Sequence, residues 1–295
     1  MADGTQAQVE IKGQKQHLQH GPIDLILQAW GTPQAVAAAY DAARARFASI
    51  LSELVDELAA LRAPADGGHR FTGSVARRMA CAVAPLAGHR FITPMAAVAG
   101  AVADEVLAVM RAHAPLTKAY VNNGGDIAVH VSHGETLNIG LVPRPDPRLA
   151  SALLQGTALI EPRSGTGGIA TSGRFGRSFS LGIADAVTVT AISAASADAA
   201  ATLIANAVDL ASDRIIRKPA ATLDPDSDLG ERLVTVHVPP LDGDEIERAL
   251  AAGTAFAQLL FDENQINGAV LYLQDQAAQV GGAAGTLLTK PKDTE

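Results

Sequence analysis

Val36, Tyr40, Ala43, Phe47, Ile50, Leu54, Leu58 and Leu61 recur every three or four residues, which lays one apolar stripe along a single long helix. Thr32-Pro33 opens it, threonine as N-cap and proline in the first helical position, and it ends near Pro64. Such a stripe must lie against something, and strands flank it. Upstream, VEIKG alternates apolar and polar, and GPIDLILQAWG reads as a strand from about Ile23 to Trp30. Past the break ADGGHR, TGSVARRMACAVAPLAG reads as a second helix. Thr93-Pro94 repeats the threonine–proline start for a third, MAAVAGAVADEVLAVMRAH, whose Ala96, Ala97, Ala99 and Gly100 suit the close approach of another backbone. From Lys118 the texture turns to strands: AYVNNGGDIAVHV, TLNIGLV, a stretch around ALLQGTALIE, GGIATSG and the β-branched DAVTVTAIS. An alanine-rich helix runs toward Asp209, DPDSDLGERL reads as loop, TVHVPP as strand, EIERALAAGTAFAQLLF as helix and INGAVLYLQ as strand. Blocks of helices and strands, rather than strict alternation, predict an α+β fold: a mixed or antiparallel sheet packed with long helices.

The 295 residues are expected to form one domain, with an N-terminal hairpin and helices in 1–117, a strand-rich half in 118–280 and a frayed tail in 281–295. Acidic residues outnumber basic ones by 31 to 23, which argues against a nucleic-acid partner. Cys81 has no partner for a disulfide or a zinc site and reads as a small buried apolar residue. The N-terminal stretch has no apolar signal core, and no apolar run approaches the roughly 18 residues of a membrane span. The expectation is a soluble cytoplasmic protein without a membrane partner.

Four stretches carry the residue types that chemistry needs. In Asn122-Asn123-Gly124-Gly125-Asp126, asparagine and glycine suit a hairpin turn, and the missing side chains also suit a ligand wall with Asp126 fixing a polar group. In Arg163-Ser164-Gly165-Thr166-Gly167-Gly168, glycines and hydroxyls beside an arginine can present N–H groups to phosphate, or form a plain loop. In the run Ala170 to Ser178, Thr171, Ser172, Gly173, Arg174, Arg177 and Ser178 would suit a pyrophosphate, or a solvated turn. Ser196 is an N-cap candidate, and Asp198 and Thr202, four apart, share one helix face where a hard cation such as Mg²⁺ would fit beside phosphates. Ordinary helix chemistry also accounts for that last pair. His130 and His133, three apart on a strand, would face opposite sides and make poor ligands for one metal.

The order NNGGDI, ATSGR, TVTAIS, ADAAAT resembles the ApbE family of FAD:protein FMN transferases. QHGPIDLILQAWG, TPMAAVAGAVADEV, VNNGGDIAV and SGRFGRSFSLGIADAVTV resemble, over nearly the whole chain, a shorter uncharacterised family of ApbE-like proteins. The resemblance implies a T-fold-like α+β architecture, FAD as ligand, Mg²⁺, pyrophosphate cleavage and transfer of FMN to a protein threonine. It places the metal on Asp198 and Thr202, the nucleotide against Asn123, Gly124, Gly125 and Asp126, and the SG strand at Ser172 and Gly173. The transferases carry a longer insert with a HIIDPxTG-type motif; here GRFGRSFSLGIADA fills that gap, with Arg174, Arg177, Ser178 and Asp185 in its place. In the enzyme reading Arg174 and Arg177 stabilise charge and Asp126 acts as base or orienter. The alternatives are a non-catalytic flavin or nucleotide-binding accessory protein, and an enzyme acting on a different anionic metabolite. A homo-oligomer is expected, packed through the helix around Gly100 or the long helix from Pro33.

Overall fold

The computed structural model describes residues 7–11, 15–65, 68–141, 156–281 and 288–289. Along the chain come β1 (Ala7–Ile11), β2 (Lys15–His20), β3 (Ile23–Trp30), α1 (Pro33–Asp56), α2 (Leu58–Leu61), α3 (Ser74–Val83), α4 (Val98–His113), β4 (Lys118–Asn123) and β5 (Asp126–Val131). Then follow β6 (Leu137–Leu141), β7 (Gly156–Ile160), β8 (Gly168–Ser172), β9 (Ala186–Ala191), α5 (Ala194–Ala207), β10 (Ile216–Pro219), α6 (Ala220–Leu223), β11 (Leu233–His237), α7 (Gly243–Asp262), β12 (Gly268–Leu273), β13 (Gln276–Gly281) and β14 (Leu288–Thr289). This is an α+β protein with antiparallel sheets and long helices. Its contacts group into two compact units, each assembled from separated stretches of chain.

The first unit takes the described residues up to Leu137, with Glu161–Ala170 and Ala191–Ala199. Its strands run antiparallel in the order β1-β2-β3-β4-β5-β8. Alternation along β3 turns Ile23, Leu25, Leu27 and Ala29 inward, and along β4 it buries Ala119, Val121 and Asn123. Helix α1 packs on β2 and β3, and α4 packs on β4, β5 and α1. The expected stripe is present: Tyr40, Ala43, Phe47, Ile50, Leu54 and Leu61 are all buried. Thr32 caps α1 by accepting from Ala35 N at 3.2 Å. The stripe is nevertheless interrupted after Asp56. Glu57 leaves helical geometry and its carboxylate accepts from Thr72 N and Gly73 N, at 2.7 and 2.9 Å, at the start of α3. Thr93-Pro94 does not begin an α-helix. Thr93 is buried without a side-chain cap bond, Pro94–Ala97 form a 3-10 turn, and α4 starts at Val98. Cys81 is exposed rather than buried, because it lies off the inward face formed by Val75, Ala76, Met79, Ala82 and Val83.

Three helices of this unit are tied by one buried carboxylate. Glu105 of α4 meets Arg46 Nε of α1 at 2.9 Å, Arg78 Nε of α3 at 2.8 Å and Ser74 Oγ at 2.5 Å. Burial alone would raise its pKa. The hydrogen bonds and charges of Ser74, Arg78 and Arg46 outweigh that and hold the carboxyl at about 2.

In the second unit β9, β12 and β13 pair antiparallel, and α7 packs on β12 and β13. A capping box starts α7: Asp242 accepts from Glu245 N at 2.9 Å while Glu245 accepts from Asp242 N at 3.0 Å. Strands β10 and β11 form a separate ribbon, and β14 pairs with β7 beside β6. Within the stretch read as a frayed tail, Leu288–Thr289 therefore form a strand, while 282–287 and 290–295 lie outside the described residues. So do residues 152–155 of ALLQGTALIE.

Candidate functional site

The NNGGD stretch is a two-residue hairpin. Asn123 pairs with Asp126, and Gly124 and Gly125 form the turn with φ of +65° and +118°. Both glycines are required by backbone conformation, since positive φ at both central positions is what the right-handed twist of a hairpin demands. A Cβ on Gly125 would meet nothing within 4 Å, so crowding is not the reason. Asn122 Oδ1 closes the turn by accepting from Gly125 N at 2.8 Å. Asn123 turns inward, is buried, and donates from Nδ2 to Ala99 O at 3.1 Å.

Asp198 reaches the same neighbourhood from α5. Ser193 caps that helix, its Oγ accepting from Ser196 N at 3.1 Å, so Ser196 sits inside the first turn and is not the cap. Asp104 of α4 adds a second cap, Oδ1 and Oδ2 accepting from Ala194 N and Ala195 N at 3.0 and 2.9 Å. The fit depends on glycines: a Cβ on Gly100 would lie 2.2 Å from Ala194 O, and one on Gly168 would lie 2.0 Å from Ala194 N. Gly167 is equally committed, its Cβ position lying 2.1 Å from Ile192 O. Asp198 Oδ2 accepts from Gly100 N at 3.0 Å. Burial pushes the Asp198 carboxyl well above the usual carboxylate range, and the charges of Asp126 and then Asp104 push the same way against the N–H groups of Gly100 and Ala99. Burial also raises Asp104, against its two helix N–H groups.

The Arg163–Gly168 loop is thus in large part a packing device. Gly165, with φ +65° and open space beside it, ends a 3-10 turn, and Thr166 N donates to Ser164 Oγ at 3.2 Å. The arginine–hydroxyl run belongs to the second unit. Arg174 Nε donates to Asp185 Oδ1 at 2.7 Å, and Asp185 Oδ2 accepts from Gln274 N, also at 2.7 Å. Asp185 is buried, so this pair anchors the base of the loop. Gly173, with φ +151°, passes so close to Asp185 that a Cβ would lie 2.5 Å from its carbonyl oxygen. Arg177 and Ser178 are exposed. Thr171 Oγ1 lies 2.9 Å from Thr188 Oγ1, and Thr202 Oγ1 donates to Ser172 Oγ at 3.5 Å.

The structure brings Asn123, Asp126 and Asp198 to one place in the first unit, and Arg174 to Asp185 in the second. Gly100 was expected to admit another backbone and does so against Ala194, but its N–H was not read as part of the site. Asp104, one turn along α4, was not singled out and carries no local signal in the sequence. Among the described residues no group of three or more His, Cys, Asp or Glu is gathered to hold a metal ion. A Mg²⁺ ion asks for less: one or two carboxylates, with water and phosphate completing the shell. Asp198, with the Thr202 hydroxyl one turn along α5 and the Asp126 charge acting on it, is a carboxylate of the kind such an ion takes.

A family model described as AbpE bacteria matches residues 7–281. The UPF0280 protein of Methanopyrus kandleri is 39% identical over 132 residues, covering 45% of this chain and 48% of that protein. The UPF0280 protein of Methanothrix thermoacetophila is 36% identical over 158 residues, 51% and 62% of the two chains. That of Methanoregula boonei is 34% identical over 185 residues, 59% and 72%. The chain spans about half the length of the first of these relatives. Among solved structures, the apo form of the flavinyl transferase ApbE of Pseudomonas stutzeri aligns with 98% of this chain and 95% of its own, at 15% identity and a TM-score of 0.39.

Proposed function

The chain belongs to the AbpE bacteria family, an ApbE-like family, and on that premise we propose that it binds FAD or a related dinucleotide with Mg²⁺ and cleaves the pyrophosphate, passing FMN to a protein acceptor. The observation that carries the reading is Asp198, held by Gly100 N at 3.0 Å near the glycine hairpin that ends in Asp126, its carboxyl raised by burial and then by the Asp126 charge. In this reading Asp198 and Thr202, one turn apart on α5, hold the ion, and Asp126 orients the nucleotide or accepts a proton. When bound, the ion supplies charge stabilisation on the pyrophosphate oxygens. Gly124 and Gly125 leave the hairpin tip without side chains, so a ligand meets backbone there. Within the second unit Arg177 and Ser178 are an exposed cation and hydroxyl of the kind that binds anions, whereas the charge of Arg174 is offset by Asp185.

With Arg174 so offset and the histidine-containing insert of the transferases replaced by GRFGRSFSLGIADA, a second reading is a non-catalytic flavin or nucleotide-binding accessory protein, and a third an enzyme for a different anionic metabolite. One experiment separates them. Purified protein is incubated with FAD, with and without Mg²⁺, and AMP and FMN are resolved by chromatography. Mg²⁺-dependent release that disappears in Asp198→Asn is the expected result. Release that persists in Asp198→Asn would sink the assigned role. FAD binding by calorimetry without release would favour the accessory protein, and neither would favour another anion.

A further inference from the structure

Two carboxylates placed side by side repel, and the exposed solution is for one to swing into water. Asp198 does not, and the reason lies in α4 rather than in α5. We propose that Asn123 and Asp104 are positioning residues that hold the Asp198 carboxylate beside Asp126, an inference that rests on the role of Asp198 given above. Asn123 Nδ2 donates to Ala99 O at 3.1 Å, and the N–H of the same Ala99–Gly100 peptide donates to Asp198 Oδ2 at 3.0 Å. This peptide is gripped at both ends, and a carbonyl that accepts a hydrogen bond polarises its N–H into a better donor. Gly100 N lies in the first turn of α4, where N–H groups lack helical acceptors, so the carboxylate meets a donor otherwise left over.

One turn along α4, Asp104 accepts from Ala194 N and Ala195 N and pins the start of the helix that carries Asp198. The grip closes on itself. Asn123 sits opposite Asp126 across the hairpin, so the residue that orients the Ala99–Gly100 peptide also shares a register with the second carboxylate. Glycine at 100 and 168 lets the two backbones approach closely enough for these bonds to form. The side chain of Asn123 is thus spent on the protein, and its part in the site is to place other groups.

The test uses the full-length chain. Native-state exchange of the Gly100 amide by NMR and Mn²⁺ binding by electron paramagnetic resonance are measured in wild type, Asp104→Asn, Asn123→Leu and Glu105→Gln. The expected result is that Asp104→Asn and Asn123→Leu each speed Gly100 exchange and weaken Mn²⁺ binding by about tenfold. Glu105→Gln, one residue from Asp104 but bonded to Arg46, Arg78 and Ser74, lowers the melting temperature and leaves Mn²⁺ binding within about twofold of wild type. The inference is overturned if Gly100 exchange is unchanged in both variants, or if Glu105→Gln weakens Mn²⁺ as much as they do. A wild type that binds no Mn²⁺ defeats the proposed function, and Gly100 exchange then decides the positioning role alone.

Discussion

Asp198 is the residue at which stability and the proposed role pull apart. Its carboxyl is raised above the ordinary range by burial and by Asp126, so its contribution to stability is fully present only below its unfolded pKa and is lost as pH rises through the folded value. At neutral pH without metal the native state therefore carries a penalty that Asp198→Asn removes, because an amide oxygen still accepts from Gly100 N. Asp198→Asn is expected to melt at or above the wild-type temperature at pH 7, and the proposed ion site predicts that added Mg²⁺ raises the melting temperature of wild type and not of the variant. Thermal denaturation with and without Mg²⁺ checks both. Gly168 makes the opposite case, a residue with no chemistry and a large structural demand. Gly168→Ala puts a Cβ 2.0 Å from Ala194 N, and backbone has nowhere to retreat. It is expected to cost about 3 kcal/mol, read from the urea midpoint.

At the scale of elements, carboxylates start or join several of the helices. Glu57, just past α1, binds Thr72 N and Gly73 N on the approach to α3, Asp104 caps α5, and Asp242 caps α7. Helices α1, α3 and α4 converge on Glu105. Removing that charge leaves Arg46 and Arg78 without it in a part-buried setting, so Glu105→Gln is expected to cost about 3 kcal/mol by urea denaturation at pH 7. The pH dependence has a definite sign. The folded pKa of Glu105 is depressed to about 2, so its contribution is complete above the ordinary value of 4.5 and is lost as pH falls through about 2. Circular dichroism melts between those limits should show wild type losing stability toward the acid end more steeply than Glu105→Gln. Helix α1 depends on its threonine cap in the ordinary way, and Thr32→Ala is expected to cost about 1 kcal/mol on the same assay.

At the scale of the whole molecule, the chain leaves and re-enters its units. The first unit is completed only when Glu161–Ala170 supplies the strand beside β5 and Ala191–Ala199 supplies the turn bearing Asp198. A fragment ending at Leu137 is therefore expected to lack a cooperative thermal transition, which circular dichroism would reveal; a sharp native-like melt would contradict it. The same weaving explains what was legible beforehand. The α+β class, the stripe of α1, its Thr32 cap and the turn at Gly124-Gly125 were readable because each depends on residues a few positions apart. Polar strands such as KQHLQH and QAAQVG were not, since their pairing is imposed by neighbouring strands rather than by their own pattern. Asp126 and Asp198 were recognisable as types of residue and, through the resemblance, as parts of one site; the Gly100 N–H that holds Asp198 there was not legible. Sequence by itself determined the local conformations, because φ preferences, capping and apolar period act over one or two turns. Tertiary structure alone decided the partners: Asp198 finds Gly100 across 98 residues and Asp104 finds Ala194 across 90, contacts that leave no periodic trace. A carboxylate becomes a site or a cap according to which N–H groups and charges the fold brings within about 3 Å of it.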